Sequence, residues 1–263
     1  MLQNQVDAYE RANLKYAHRG IEISVRQHDG SMKTETVKPK VVPFNAGVNS
    51  WSLKRTAELF GGWGPSDRLN NESVKALVGN LGTTGLLGGL AAQKIATLRQ
   101  QLEDSENFTP DQHHHIRRQI GIIQDLSQQV VSMLENKTHH SQGNEPYKFP
   151  VRILALAQEC GAACAFNCKS GKDRTGQLDV EIKDFYTDLN FHGTARELNH
   201  SRSDVEKRNL KTLFEHGGGR EIQKFNTGVP GSKVDLRMFY AQYSYSDLDK
   251  MDELKGLSKW VGT

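Results

Sequence analysis

The segment ACAFNCKSGKDRTG, residues 163–176, constrains this chain more than any other stretch. A short apolar run delivers Cys168 to a loop that holds Lys169, Lys172 and Arg174 together with Gly171. The amphipathic run TGQLDVEIKDFYTDL (175–189) follows at once. In that run Leu178, Ile182, Phe185 and Leu189 recur at the spacing of one helical face. The pattern predicts a short buried strand over 163–168, a loop from Cys168 to Arg174 and a helix over 175–189. The expected fold class is therefore α/β or α+β, with a small central sheet and surrounding helices.

The rest of the chain supplies the helices. Residues 4–18 read as helical, and IEISVRQ (21–27) alternates before an Asp29-Gly30 turn and a second run towards Val41 and Val42, a hairpin signal. A helix is expected at 50–60, a glycine-rich break at GGWGP (61–65), a helix near 71–81 and a glycine-rich joint at 82–89. Ala91, Ile95, Leu98 and Leu102, then Ile116, Ile120, Ile123, Val130 and Leu134, keep the spacing of two packed helices. Between them Thr109, Pro110 and Gln112 suit an N-cap, N1 proline and N3 partner. This predicts a protruding helical hairpin over 90–137, inserted near 84–137 in a single catalytic domain spanning 1–263. Helices are expected at 150–160 and 204–215, then a Gly217-Gly218-Gly219 break, the loop NTGVPGSK (226–233) and a polar, tyrosine-rich tail.

Composition excludes several function classes. A net charge of +3 is too weak to imply nucleic acid, though it suits anionic ligands. The three cysteines, Cys160, Cys164 and Cys168, fall within nine residues, which fits a reducing compartment better than a disulfide framework. No apolar run approaches the ~20 residues that span a bilayer, so membrane contact is expected to be peripheral. The opening MLQNQVDAYERANLK lacks a signal-peptide core and reads as an interior segment behind a start Met.

The clustered cations around Cys168 have a chemical reason. A thiolate is the reactive form of cysteine, and nearby cations or helix N-terminal N–H groups stabilise it. A short loop at a helix N-terminus aims free N–H groups at a bound anion. The spacing Cys-x5-Arg lets Cys168 attack a bound phosphorus while the Arg174 guanidinium holds two phosphate oxygens. The product is a cysteinyl-phosphate that water later hydrolyses. Thr175 is placed to donate its hydroxyl to the sulfur. A nucleotide-binding G-x-x-x-x-G-K-[ST] loop does not fit, because Phe166 and Asp173 stand where glycine and a hydroxyl residue are needed. The competing reading of Cys168 is an inert buried thiol.

At these residues the chain resembles a known family. NCKSGKDRTG with D-x-E-I-K (Asp179, Glu181, Ile182, Lys183) resembles the signature of bacterial effector inositol-phosphate and phosphoinositide phosphatases of the SopB/SigD and IpgD type, and shares CKS-x-KDRT with animal inositol polyphosphate 4-phosphatases. FNAGVN (44–49), SDRLNNESVKALVGN (66–80), GNEPYK (143–148), LALAQE (154–159) and EIQKFNTGVPGSKV (221–234) are similar to that family too. The hairpin near 84–137 does not align, and the family's long N-terminal region, with its secretion and GTPase-binding functions, has no counterpart here.

The resemblance implies Cys168 as nucleophile, Arg174 as phosphate clamp, and Ser170, Gly171, Thr175 and Gly176 in phosphate binding. It implies a phosphoinositide substrate of the PI(4,5)P2 type or a soluble inositol polyphosphate, secretion into a host cell, a peripheral position on host membranes, and a host small GTPase as partner. Lys169 and Lys172 suit a ring bearing several phosphates better than a single phosphotyrosine. Asp173 either protonates the leaving oxygen or orients Arg174, with Asp67 as rival acid. Transfer of the phosphate to another hydroxyl stays open. The competing functions are a protein tyrosine or dual-specificity phosphatase and an effector module that binds a host protein without catalysis.

No metal or cofactor is expected. His113-His114-His115 and His139-His140 read as solvated faces, since adjacent histidines on a helix diverge, and Cys160 and Cys164 read as core packing. Lys233 is open between a substrate contact and an ordinary Gly-Pro turn.

Overall fold

The computed structural model describes residues 2–48, 63–82, 85–104, 108–141, 143–166 and 173–228. The elements are α1 (Leu2–Arg19), β1 (Ile21–Arg26), β2 (Met32–Val37), α2 (Gly64–Leu77), β3 (Gly79–Gly82), β4 (Gly85–Gly88), α3 (Leu90–Glu103), α4 (Pro110–Glu135), α5 (Lys148–Glu159), α6 (Asp173–His192), α7 (Asp204–His216) and α8 (Gly219–Thr227). The class is α+β and mostly helical. Its described strands lie in two separate two-stranded antiparallel ladders, β1 with β2 and β3 with β4.

Local chemistry explains where these elements begin and end. At the head of α4 the Thr109 hydroxyl accepts from the Gln112 N–H, and the Gln112 side chain accepts from the Thr109 N–H, so two otherwise orphaned donors are satisfied. Ser203 and Glu206 build the same box at α7. The β1–β2 turn is held by the Asp29 carboxylate, which accepts from the Ser31 N–H at 2.9 Å. Pro65 lies in the first turn of α2, so the expected GGWGP break is itself a helix start, and α2 begins several residues before the predicted 71. The expected glycine joint at 82–89 is mostly the β3–β4 ladder. A Cβ at Gly89 would collide with the Val78–Gly79 backbone, so glycine permits that close approach. The expected helix at 50–60 lies outside the described residues.

The core is centred on α4 and α5. Ile123, Leu126, Val130 and Met133 of α4 are fully buried with Ala155 and Leu156 of α5, and Phe185 and Leu189 of α6 join them. The helix pair α3 and α4 is therefore not protruding. Its second member supplies much of the core, because its apolar stripe faces α5. By contrast β1 and β2 are mostly exposed, and α1 is tied to the chain through Asn13, whose side chain exchanges two hydrogen bonds with the Val41 backbone.

Candidate functional site

The chain leaves α5 through a glycine cap. Gly161 adopts φ +80°, its N–H donates to the Gln158 carbonyl at 2.8 Å, and the Ala162 N–H donates to the Ala157 carbonyl at 2.9 Å. The expected buried strand over 163–168 is not found in its described part. Residues 163–166 are non-helical, pair with no strand among the described residues, and leave Ala163, Ala165 and Phe166 exposed. Residues Cys168, Lys169, Ser170, Gly171 and Lys172 lie outside the described residues, as does Lys233.

The helix beyond that loop starts two residues earlier than predicted, at Asp173. Arg174, Thr175 and Gly176 thus occupy its first turn and are half-buried. Among the described side chains, which do not include that of Asp173, no carboxylate forms an ion pair with Arg174. Against this turn lies the start of α8, a helix absent from the sequence reading because the Gly217-Gly218-Gly219 run suggests a break. Gly218 adopts φ +89°, and a Cβ at Gly219 would lie 4.0 Å from the Gly176 carbonyl oxygen. Lys183 secures the junction by donating to the Asp179 carboxylate and the Gly217 carbonyl, both at 2.6 Å. The D-x-E-I-K residues are thus framework: Ile182 is core, and Glu181 pairs with Arg202 at 2.8 Å.

Behind α6 lies a buried ionic network that sequence reasoning missed. Glu145 accepts from Arg196 Nε at 2.9 Å and from Arg152 Nη2 at 3.0 Å, and its second oxygen role extends to the Asn199 N–H at 2.9 Å. Asp184 Oδ2 accepts from Arg196 at 2.7 Å and from Arg202 Nη2 at 2.8 Å. Phe185 is flanked by the Arg152 and Arg196 guanidinium groups at 4.9 and 5.3 Å from its centroid. Lys148, also buried, donates to the Ser141 carbonyl and to Asn199 Oδ1, each at 2.8 Å; burial pushes its ammonium down to about 8 against the pull of Glu145. Gly143 is needed beside it, since a Cβ there would strike the Asn199 side chain. The GNEPYK segment is therefore a structural knot. FNAGVN and SDRLNNES clasp in the same way: Asn70 accepts from the Asn45 N–H and donates to the Asn45 carbonyl, and Asn45 Nδ2 donates to Ser66.

Two other sequence readings are settled by burial. The Cys160 thiol is pushed up to about 12 by burial, with Glu159 adding to the effect, and burial also raises Cys164. Both are neutral packing groups near pH 7. The pair His139-His140 is not a solvated face, since His139 is 6% exposed and both rings reach Asp67. They sit in a short 3-10 turn after α4, with no helix to make them diverge. Burial works to raise the Asp67 carboxyl, but its contacts with the His139 and His140 rings outweigh this and hold the group below the ordinary carboxylate range. His114 and His115 are exposed on α4, as expected.

An open depression of about 620 Å³ is lined by Gln158, Glu159, Gly161, Ala162, Ala163 and Tyr186. Tyr186 lies twelve residues beyond Arg174 on one helix, roughly 18 Å at 1.5 Å per residue. The Tyr186 side of the depression is therefore far from the start of α6.

Comparison with known proteins completes the picture. The family described as "Enterobacterial virulence protein IpgD" matches residues 1–255. The chain belongs to this family. It is 37% identical over 270 residues to the inositol phosphate phosphatase IpgD of Shigella flexneri, covering 99% of this chain and 46% of that protein. It is 34% identical over 269 residues to the inositol phosphate phosphatase SopB of Salmonella bongori, covering 99% and 59%. The SopB protein of Salmonella typhimurium is also 34% identical, over 236 residues, covering 89% and 38%. The chain thus spans about half the length of the curated relatives it matches. The family match includes the α3–α4 region. Among the described residues no helix is long and apolar enough to cross a membrane.

Proposed function

We propose that this chain is the catalytic region of an inositol-phosphate or phosphoinositide phosphatase that works through a cysteinyl-phosphate, folded as one domain. The observation that carries the reading is Arg174, held in the first turn of α6 without a carboxylate partner among the described side chains, six positions after Cys168. The printed names of the relatives favour inositol phosphates as substrates.

In this mechanism Cys168, as thiolate, attacks phosphorus, and the bond from phosphorus to the ring oxygen breaks. Arg174 holds two of the phosphate oxygens. The leaving oxygen takes a proton from Asp173, because Asp67 is engaged by two histidines and held ionised. Water then attacks the phosphorus, releasing inorganic phosphate and restoring the thiolate; a second ring hydroxyl in place of water gives phosphotransfer. Burial keeps Cys160 and Cys164 protonated, which leaves Cys168 as the nucleophile. Ser170, Gly171, Thr175 and Gly176 cradle the phosphate, and the α6 N-terminus adds positive potential. Lys169 and Lys172 neutralise neighbouring ring phosphates. A substrate of the PI(4,5)P2 type, action at a host membrane surface after secretion, and a host GTPase partner belong to the same proposal.

The test is phosphate release from PI(4,5)P2 vesicles, soluble inositol polyphosphates and a small aryl phosphate. Cys168→Ser should abolish release on all three while retaining binding, and residual turnover above a few per cent refutes the covalent step. Lys169→Ala with Lys172→Ala should lower kcat/KM on polyphosphorylated substrates by about tenfold to a hundredfold, and far less on the aryl phosphate. Equal losses would favour a tyrosine-phosphatase reading.

A further inference from the structure

We propose that Asp67, His139 and His140 form a binding site for a divalent transition metal of the Zn2+ class, linking the start of α2 to the turn after α4. The two His Nε2 atoms approach one carboxylate oxygen, Asp67 Oδ1, at 3.0 Å from His139 and 2.6 Å from His140. All three donor atoms lie within 4.8 Å of one another.

Hydrogen-bond chemistry at His139 asks for a cation. Its Nδ1 lies 3.1 Å from the Met133 carbonyl oxygen, which only accepts, so Nδ1 carries the hydrogen. A neutral ring then turns its Nε2 lone pair toward Asp67 Oδ1. Two acceptors face each other at 3.0 Å, and a positive species between them removes the conflict. A ligating histidine that donates its other N–H to a backbone carbonyl is the usual support for a metal. The alternative positive species is a second proton on the ring, and the experiment separates the two.

Geometry and scaffold favour the metal. Bonds of about 2.0–2.2 Å in a tetrahedral site set neighbouring donors roughly 3.3 Å apart, so the two His–Asp separations need to open by less than ~1 Å. The His139 ring packs on Phe149 at 5.3 Å between centroids, and His140 stacks on Trp63 at 4.0 Å with planes 17° apart. Ser66, next to Asp67, is held by Asn45, so the carboxylate rises from an anchored turn. Two imidazoles and one carboxylate suit Zn2+ better than the all-oxygen preferences of Ca2+ and Mg2+, and leave one position for water.

The experiment strips the whole chain with EDTA and titrates Zn2+ by calorimetry, with Co2+ absorption as a second probe. His139 is buried, so the variants are Asp67→Asn and His140→Gln, with folding checked by metal-free urea unfolding. His114→Ala with His115→Ala serves as control on the exposed α4 face. The expected result is one equivalent of Zn2+ and a metal-dependent rise in Tm, both weakened at least about tenfold in affinity by either site variant and untouched by the control. Co2+ should give d–d bands without thiolate charge transfer. Failure of the wild-type chain to take up Zn2+ overturns the proposal and leaves a proton-held ion pair. Uptake that survives the Asp67→Asn, His140→Gln double variant, or a thiolate band, also overturns it by placing the metal elsewhere.

Discussion

Arginines in this protein have two fates. Arg152, Arg196 and Arg202 are buried behind α6, and Glu145, Glu181 and Asp184 match them charge for charge. Arg174 stands half-buried at the head of the same helix, with no ion-pair partner among the described residues. The difference teaches what each group is for. A buried charge must be paired, because desolvation is recovered only through close, well-oriented partners. A guanidinium at a helix N-terminus already opposes the dipole, so leaving it unpaired helps stability little and suits a ligand anion.

The comparison breaks most readily at Glu145. Glu145→Ala leaves Arg152 without a carboxylate in the core and takes one of two from Arg196, and should destabilise the fold by about 3–5 kcal/mol, read as a lower urea midpoint. Arg202→Lys comes next: an ammonium cannot serve Glu181 and Asp184 in the same fork, and a loss of about 1–3 kcal/mol is expected in the same measurement.

Glu206 offers a smaller and pH-dependent effect. Burial opposes its ionisation, but the Ser203 hydroxyl and N–H and the His200 ring overcome this and bring the carboxyl down to about 2. A depressed carboxylate adds stability above its unfolded value, and that stability is lost as pH falls towards the folded value. The Tm gap between wild type and Glu206→Gln should therefore close as pH drops from about 4.5 to about 2. Smallest is Arg174→Gln, expected to change stability by no more than ~0.5 kcal/mol while phosphate release collapses. A loss as large as that of Arg202→Lys would mark Arg174 as part of the framework and erase the contrast.

Legibility in the sequence followed the range of the interactions. The α6 stripe Leu178, Ile182, Phe185 and Leu189 was readable and is buried as the spacing predicts. So were the Thr109–Gln112 cap and the Asp29–Ser31 turn, since every partner lies within four residues. The buried strand expected at 163–168 is not found over 163–166, because an apolar run becomes a strand only when a neighbour supplies its hydrogen bonds. Helix α8 was hidden by three glycines, of which Gly217 packs on the Leu213 carbonyl of α7, Gly218 is left-handed and Gly219 lies against Gly176 of α6. The Asp67, His139, His140 cluster left one legible trace, two adjacent histidines, but its carboxylate is 72 residues away.

The amino-acid order alone puts a cysteine, three cations and two glycines next to a predicted helix, the composition on which the proposed phosphate chemistry rests, because helix phase and loop composition are local properties. Tertiary structure decided which charges are spent on the fold and which stay available. Glu145 meets Arg196 across 51 residues and Asn199 across 54, and no local pattern marks such a pair in advance. Burial, and the requirement that buried charge be matched, separate the arginines that hold α6 in place from the one at its head.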